Sequence, residues 1–311
     1  MLTVPFLSGT SCSSAPKMIQ SDLAFKAEAT TGEGSIWHPD RNTLFWVDIE
    51  GKTLYEYYPD KQDCKTWEFD RMVSTVVPET DSTVVVSLQD EIVRVNLNDG
   101  SLSSVAPIPD YEGKVRCNDG KCDPAGRLWI GTMGFGAPKG AGTLYTVVPD
   151  GTVETKLEKV TISNGIVWSA NKKYMYYNDT PTGKVARYRY DEKTGEILFD
   201  GVAVTLPPGS GAPDGMTIDS NDNLWVAQGG GFGVYCYNPY TGELLGKVEV
   251  PAPNVASCAF GGKDMDTLYI TTARAGLSEQ QLEEYPLSGS LFVCKPGASG
   301  PEPYKFKQPA K

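Results

Sequence analysis

Five oxygen-bearing side chains fall in four short segments of one design: a carboxylate or amide beside glycine, just ahead of a strand-like run. The segments are GEGSIW (32–37), RCNDGKCD (116–123), ISNGIVWS (162–169) and PDGMTID (213–219), and their donors are Glu33, Asn118, Asp119, Asn164 and Asp214. Carboxylate and amide oxygens are hard ligands, suited to Ca²⁺, Mg²⁺ or Mn²⁺ more than to a metal that prefers soft donors. Any one Asn-Gly or Asp-Gly pair is ordinary turn chemistry. Four of them, far apart in the chain and each placed just before a strand, make a candidate site if the fold brings those strand starts together.

The rest of the composition narrows the chemistry. His38 is the only histidine, so a Ser–His or Cys–His nucleophile pair has one candidate base and, with a multi-histidine zinc site, is nearly excluded. His38 itself lies in WHPD and is expected in a surface turn. The cysteines (12, 64, 117, 122, 236, 258, 294) form no CxxC pair and read as small buried apolar residues, Cys117 and Cys122 included. A net charge of -11 argues against nucleic acid, which calls for clustered Lys and Arg. No run approaches the roughly 18–20 apolar residues of a membrane-spanning helix. The N-terminal MLTVPFLSGTSCSS is faintly like a lipoprotein signal but lacks a basic start. Residues 1–20 are therefore set aside as a tail or signal remnant. The reading leans to a cytoplasmic location, with a periplasmic or lipid-anchored envelope protein as the alternative.

The elements that must position these donors form an internal repeat. A polar turn followed by an apolar strand recurs at 38–48, 79–88, 123–132, 169–179, 219–228 and 262–272. Taking Phe45, Val85, Trp129, Tyr176, Trp225 and Tyr269 as equivalents gives steps of 40, 44, 47, 49 and 44 residues, the length of a four-stranded propeller blade. Each strand is followed, after a short turn, by another, as in KTLYEYYP, EIVRVNL and GTLYTVVP. With 33 glycines and 22 prolines the chain is turn-rich, and only LSEQQLEEY (277–285) reads as helical. The expected fold is an all-β, six-bladed β-propeller with a central metal-containing channel, one domain over 21–311. Residues 23–30 are expected to supply an outer strand to the last blade and close the ring. Trp129, Trp168 and Trp225 are expected in blade cores, and Asp48, Asp179 and Asp219 as turn anchors, with Asp179 alternatively lining the channel. Arg274 is a further candidate for a substrate contact.

The motifs GEGSIW with LFWVDI, RCNDGKCDPAGRLWIGTM, ISNGIVWS, APDGMTIDSNDNLWVA and ASCAFGGKDMDTLYITTAR occur in the order and spacing of a known family. The sequence resembles the SMP-30/gluconolactonase/luciferin-regenerating enzyme family over residues 28–276. That resemblance implies a propeller with one divalent cation, Ca²⁺ first and Zn²⁺, Mn²⁺ or Mg²⁺ as alternatives. Position by position it implies Glu33, Asn164 and Asp214 as metal ligands, Arg116 and Asn118 as substrate contacts, and Asp214 as general base. Animal relatives carry acidic residues on a lid just after GTM; here the chain continues GFGAPKGAG without a carboxylate, so substrate selection is expected to differ.

The expected reaction is hydrolysis of a small sugar lactone, with no obligatory protein partner. A divalent cation can polarise the carbonyl and acidify a water, while Asp214 accepts a proton and Arg116 holds a sugar hydroxyl or the developing charge. The alternatives are a related aryl-ester, phosphotriester or non-sugar lactone hydrolase, and a non-enzymatic calcium-binding propeller.

Overall fold

The structure, a computed structural model, describes residues 15–109 and 111–307. Cys12 and the signal-like run before it lie outside the described residues. Six antiparallel sheets follow one another along the chain. Their first strands are Gly32–His38, Val73–Pro78, Val115–Cys122, Ser163–Trp168, Ala212–Ile218 and Val255–Gly261. Each of these touches the first strand of the sheet before and after it, and the sixth touches the first, so they are the inner wall of a closed ring. The repeated strands of the sequence analysis are the second and third strands of each blade, and the six-bladed propeller is the observed fold.

Blade faces pack against each other, which explains the apolar runs. Leu44–Val47, Val84–Val86 and Leu128–Ile130 are buried along their whole length because neighbouring blades cover both faces. Trp129, Trp168 and Trp225 lie in this packing, as expected. Cys117, Cys122, Cys236, Cys258 and Cys294 are buried free thiols, and Cys64 is half-buried.

The ring closes where expected. Asp22–Phe25 pairs with Leu291–Cys294 as the outer strand of blade six. A second closure was not foreseen: Lys17–Gln20 adds to blade five as a parallel fifth strand, with Lys17 opposite Gly246. The C-terminal segment is also structural. After Gly300 N–H bonds Met265 O it crosses one end of the ring, until Phe306 N–H bonds Pro78 O of blade two and Lys307 N–H bonds Gly126 O of blade three. Phe306 is sunk in the core at 1% exposure. The helical turn forms as Glu279–Glu284, started by a capping box between Ser278 and Gln281.

Candidate functional site

All six inner strands are interrupted at the same place. In blade one Glu33 pairs with Val47 and Ile36 with Phe45, so the inner strand takes three steps while its neighbour takes two. The same slip lies between Cys117 and Gly120, Ser163 and Ile166, and Pro213 and Met216. Blades two and six slip at Val73/Thr75 and Val255/Ser257. Each slip inserts an extra residue and turns the side chains beside it. Glu33, Asn118, Asp119, Asn164 and Asp214 all sit at these bulges. The glycines of the motifs serve the same geometry. Gly34 has φ +61, a left-handed conformation that favours glycine. A Cβ on Gly165 would stand 2.6 Å from both Asp214 O and Asn178 Nδ2, so only glycine lets blades four and five approach this closely.

The bulges converge. The carboxyl groups of Glu33 and Asp214 lie close enough to couple electrostatically, and the Asn164 amide lies beside the Asp214 carboxyl. Backbone amides hold the outer lone pairs: Gly34 N–H donates to Glu33 Oε2 at 3.1 Å, and Gly215 N–H to Asp214 Oδ1 at 3.0 Å. Asn164 Nδ2 donates to Thr180 Oγ1 at 2.9 Å, and its Oδ1 receives only a long 3.4 Å contact from Asn118 Nδ2. Asn118 is the hinge of the set. Its Nδ2 donates to Ser163 O at 2.7 Å, and its Oδ1 accepts from Arg116 Nη1 at 2.7 Å. Arg116 is fixed a second time by Nη1 donating to Cys117 O at 2.9 Å. The five residues that the resemblance implied thus form one connected cluster.

The electrostatics describe a site rich in negative charge. Burial, then the charges of Asp214 and Asp119, push the Glu33 carboxyl well above its ordinary range. Burial likewise raises Asp214 to about 7, with the Asp119 charge adding to the rise. Asp119 is raised by burial; its Oδ1 accepts from Gly120 N–H at 2.8 Å, while Oδ2 has no hydrogen-bond partner among the described residues. Like charges gathered out of water repel and lose solvation, and a bound cation relieves both. Among the described residues no three His, Cys, Asp or Glu side chains cluster as metal ligands. The inner set is two carboxylates and an amide, all hard oxygen donors, which fits one Ca²⁺- or Mg²⁺-like ion completed by water or substrate.

Several supporting residues escaped the sequence reading. Thr180, in the turn after the second strand of blade four, holds Asn164 and donates to Pro213 O at 2.9 Å. Asn178 Nδ2 donates to Asp214 O at 2.8 Å, and Tyr177 OH to Ser163 Oγ at 2.7 Å. The run YYNDT carried that signal, since a strand ending in consecutive polar residues beside a bulge presents them to the next blade. His38 requires a correction. It is fully buried rather than in a surface turn, because the inner strand continues through it. Its Nε2 lies 2.9 Å from Thr80 O of blade two, and its ring packs 5.8 Å from Phe45. Asp48, Asp179 and Asp219 are turn anchors: Asp179, for instance, accepts from Thr161 N–H at 3.0 Å and Ile162 N–H at 2.9 Å. Arg274 pairs with Glu28 at 3.1 Å. After Met133 the strand ends at Gly134, and a seven-residue loop, 135–141, leads to the next strand at Gly142, with Phe135 exposed.

The sequence profile described as "SMP-30/Gluconolactonase/LRE-like region" matches residues 31–274. The Bacillus subtilis protein named "Putative sugar lactone lactonase YvrE" is 35% identical over 284 residues, 91% of this chain and 97% of that protein. Regucalcin of Oryctolagus cuniculus is 34% identical over 281 residues, 88% of this chain and 94% of the relative. Among solved structures, the calcium-binding protein regucalcin from Agrobacterium tumefaciens superposes with a TM-score of 0.89 at 26% identity, covering 94% of this chain and 99% of that one. The bulge-borne motifs, the ring and these relatives agree: the chain belongs to the SMP-30/gluconolactonase/LRE-like family.

Proposed function

We propose that this protein is a metal-dependent lactonase that opens a small sugar lactone to its hydroxy acid. The observation that carries the reading is the contact of Glu33, Asp214 and Asn164 beside an anchored Arg116. Lactonase-named relatives support it. Glu33, Asn164 and Asp214 would hold one divalent cation, with Ca²⁺ the first candidate in view of the calcium-binding structural relative. When bound, that cation supplies Lewis acidity toward the lactone carbonyl and lowers the pKa of a nearby water.

The chain's own groups do the rest. Asp214 takes a proton from the attacking water and returns it to the ring oxygen as the acyl C–O bond breaks; one water is consumed and nothing else is required. Neutralisation by the cation returns Asp214 from about 7 toward its ordinary range, leaving it a modest base, which suffices for an activated cyclic ester. Arg116, held at one nitrogen by Asn118 Oδ1 and Cys117 O, presents its remaining donors to a sugar hydroxyl or to the developing oxyanion. Asn118 keeps Arg116 and Asn164 in register.

A substrate panel tests the reading. Purified protein with added Ca²⁺, Mg²⁺, Mn²⁺ or Zn²⁺ is expected to hydrolyse glucono-1,5-lactone faster than phenyl acetate, a phosphotriester or a simple γ-lactone. Turnover of only the aryl ester or the phosphotriester would assign the site to the related hydrolases instead. No turnover of any of them would leave a cation-binding propeller.

A further inference from the structure

The end of the ring where the inner strands begin carries a further acidic side chain, Glu50. Blade one turns there from its second strand, Thr43–Asp48, into its third, Thr53–Tyr58. Lys52 N–H bonds Ile49 O at 3.2 Å and closes a tight turn with Glu50 at its tip. Asp48, buried beneath, fixes that tip. Its Oδ1 accepts from Thr31 N–H at 2.9 Å and Gly51 N–H at 3.1 Å, and its Oδ2 from Thr30 N–H at 2.9 Å. Lys52 turns away, its Nζ donating to Asp70 O at 3.1 Å. Glu50 is exposed on this rigid support and has no hydrogen bond or ion pair among the described residues.

Its counterpart is Arg116. Burial works against the guanidinium charge, and of the carboxylates that sustain it Glu50 acts most strongly, ahead of Glu33 and Asp214. Water screens an exposed charge more than a buried one, so Glu50 leads only by lying nearer. The two groups still form no ion pair, which leaves a gap between them. Arg116 spends Nη1 on Cys117 O and Asn118 Oδ1, at 2.9 and 2.7 Å, while its other N–H groups have no acceptor among the described residues. A hydroxyl fits between: its O–H donates to the carboxylate and its oxygen accepts from the guanidinium, both bonds being charge-assisted.

The rim on blade five is open. A Cβ at Gly229 would meet only Asp214 Oδ2, at 3.9 Å, so bare backbone borders the approach to that carboxylate. Arg71 and Arg274, at the same end of the ring, are already paired, Arg71 with Asp90 and Glu91 at 3.0 and 2.8 Å and Arg274 with Glu28 at 3.1 Å. A phosphate or carboxylate on the substrate would face Glu50 as well as Glu33, Asp119 and Asp214 below it.

We propose, building on the lactonase reading, that Glu50 sets the substrate class of this site: with Arg116 it brackets a hydroxyl of an uncharged, polyhydroxylated lactone and repels lactones bearing a phosphate or carboxylate.

Glu50→Ala is the variant, since the side chain makes no bond that the fold needs, and circular dichroism checks this. With a divalent cation added, pH-stat rates are compared for glucono-1,5-lactone, its 6-phosphate and δ-valerolactone, which has no hydroxyl. The unaltered protein prefers the neutral sugar lactone to the 6-phosphate at least tenfold in kcat/KM; equal use of the two overturns the proposal. In Glu50→Ala, KM for glucono-1,5-lactone rises at least tenfold with kcat within about threefold, and δ-valerolactone is unaffected. An unchanged KM overturns the proposal, and so does an equal loss on δ-valerolactone, which would trace the effect to the cation. Glucono-1,5-lactam, an amide that is not opened, separates this role from the lactonase reading. By titration calorimetry it binds the unaltered protein at least tenfold tighter than Glu50→Ala, whether or not any lactone turns over. That difference without turnover ends the lactonase reading alone; equal binding by both proteins, or none, ends the role of Glu50.

Discussion

Asp214 is asked to do two things, hold a cation and take a proton, and its surroundings suit both. Its Oδ1 is occupied by Gly215 N–H, its amide neighbour is Asn164, and its carboxyl partner is Glu33. Asp214→Asn keeps the shape and removes the base. We expect kcat for glucono-1,5-lactone to fall by about 10²–10⁴, with an unchanged circular dichroism spectrum. Retention of more than a tenth of the activity would take the base assignment away from this residue. The donors were legible as residues because hard oxygens beside glycine recur before strands. Thr180, Asn178 and Tyr177 were not, because Thr180 and Tyr177 act on the neighbouring inner strand of their own blade and Asn178 on blade five, contacts made only once the strands are assembled. His38 was misread for a related reason: Pro39 follows it and signals a turn, yet blade two covers the end of the strand.

At the scale of elements, the turn period revealed the blades, but not the slip in every inner strand that turns the donors. Bulges leave little trace in sequence beyond glycine, and the motifs' glycines are that trace. The blades are also pinned by buried aspartates. Asp219 Oδ1 accepts from Asn221 N–H and Asn223 N–H, each at 2.9 Å, and Oδ2 from Trp225 Nε1 at 3.0 Å. Asp123 repeats the pattern in blade three with Ala125, Arg127 and Trp129. DPAGRLW and DSNDNLW spell the device, an aspartate six residues before a tryptophan, although only Asp219 was foreseen as an anchor. Asp219→Ala strands the buried Trp225 indole N–H and is expected to cost about 2–4 kcal/mol, read as a lower urea midpoint at unchanged m. Turnover per folded molecule stays as in the unaltered protein, since the anchor lies at the far end of the inner strand from Asp214. A stability change under 0.5 kcal/mol would contradict the anchor role.

For the whole molecule, residues 23–30 were expected to close the ring with an outer strand, and Asp22–Phe25 does so. The parallel strand at 17–20 and the C-terminal crossing had no local signal, because neither is joined to its partner by a turn. The closed ring concentrates acidic groups at its axis, and this has a consequence for pH. Glu33, Asp119 and Asp214 have folded-state pKa values above their ordinary ones, so at these three sites the cation-free fold binds more protons than the unfolded chain. Their contribution to stability without cation is therefore greatest at low pH and declines as pH rises from the ordinary carboxylate value of 3.8 through about 7 for Asp214. A cation removes the penalty, so added Ca²⁺ should raise the melting temperature more at pH 8 than at pH 5. At a hundredfold excess over Kd the gain at pH 8 is about 2.7 kcal/mol, or a rise of roughly 4 °C for a chain of this length. An equal rise at both pH values, measured by calorimetry in EDTA and then in Ca²⁺, would show that the ion binds away from these acids.

The account rests on one cation held by Glu33, Asn164 and Asp214 being required for lactone opening. The direct measurement is the pH-stat rate of glucono-1,5-lactone hydrolysis by EDTA-stripped protein as Ca²⁺, Mg²⁺, Mn²⁺ or Zn²⁺ is added back. The stripped protein should match the uncatalysed rate, with at least one cation restoring turnover along a single-site saturation curve. Full turnover in the stripped protein, unchanged by any cation, would contradict it.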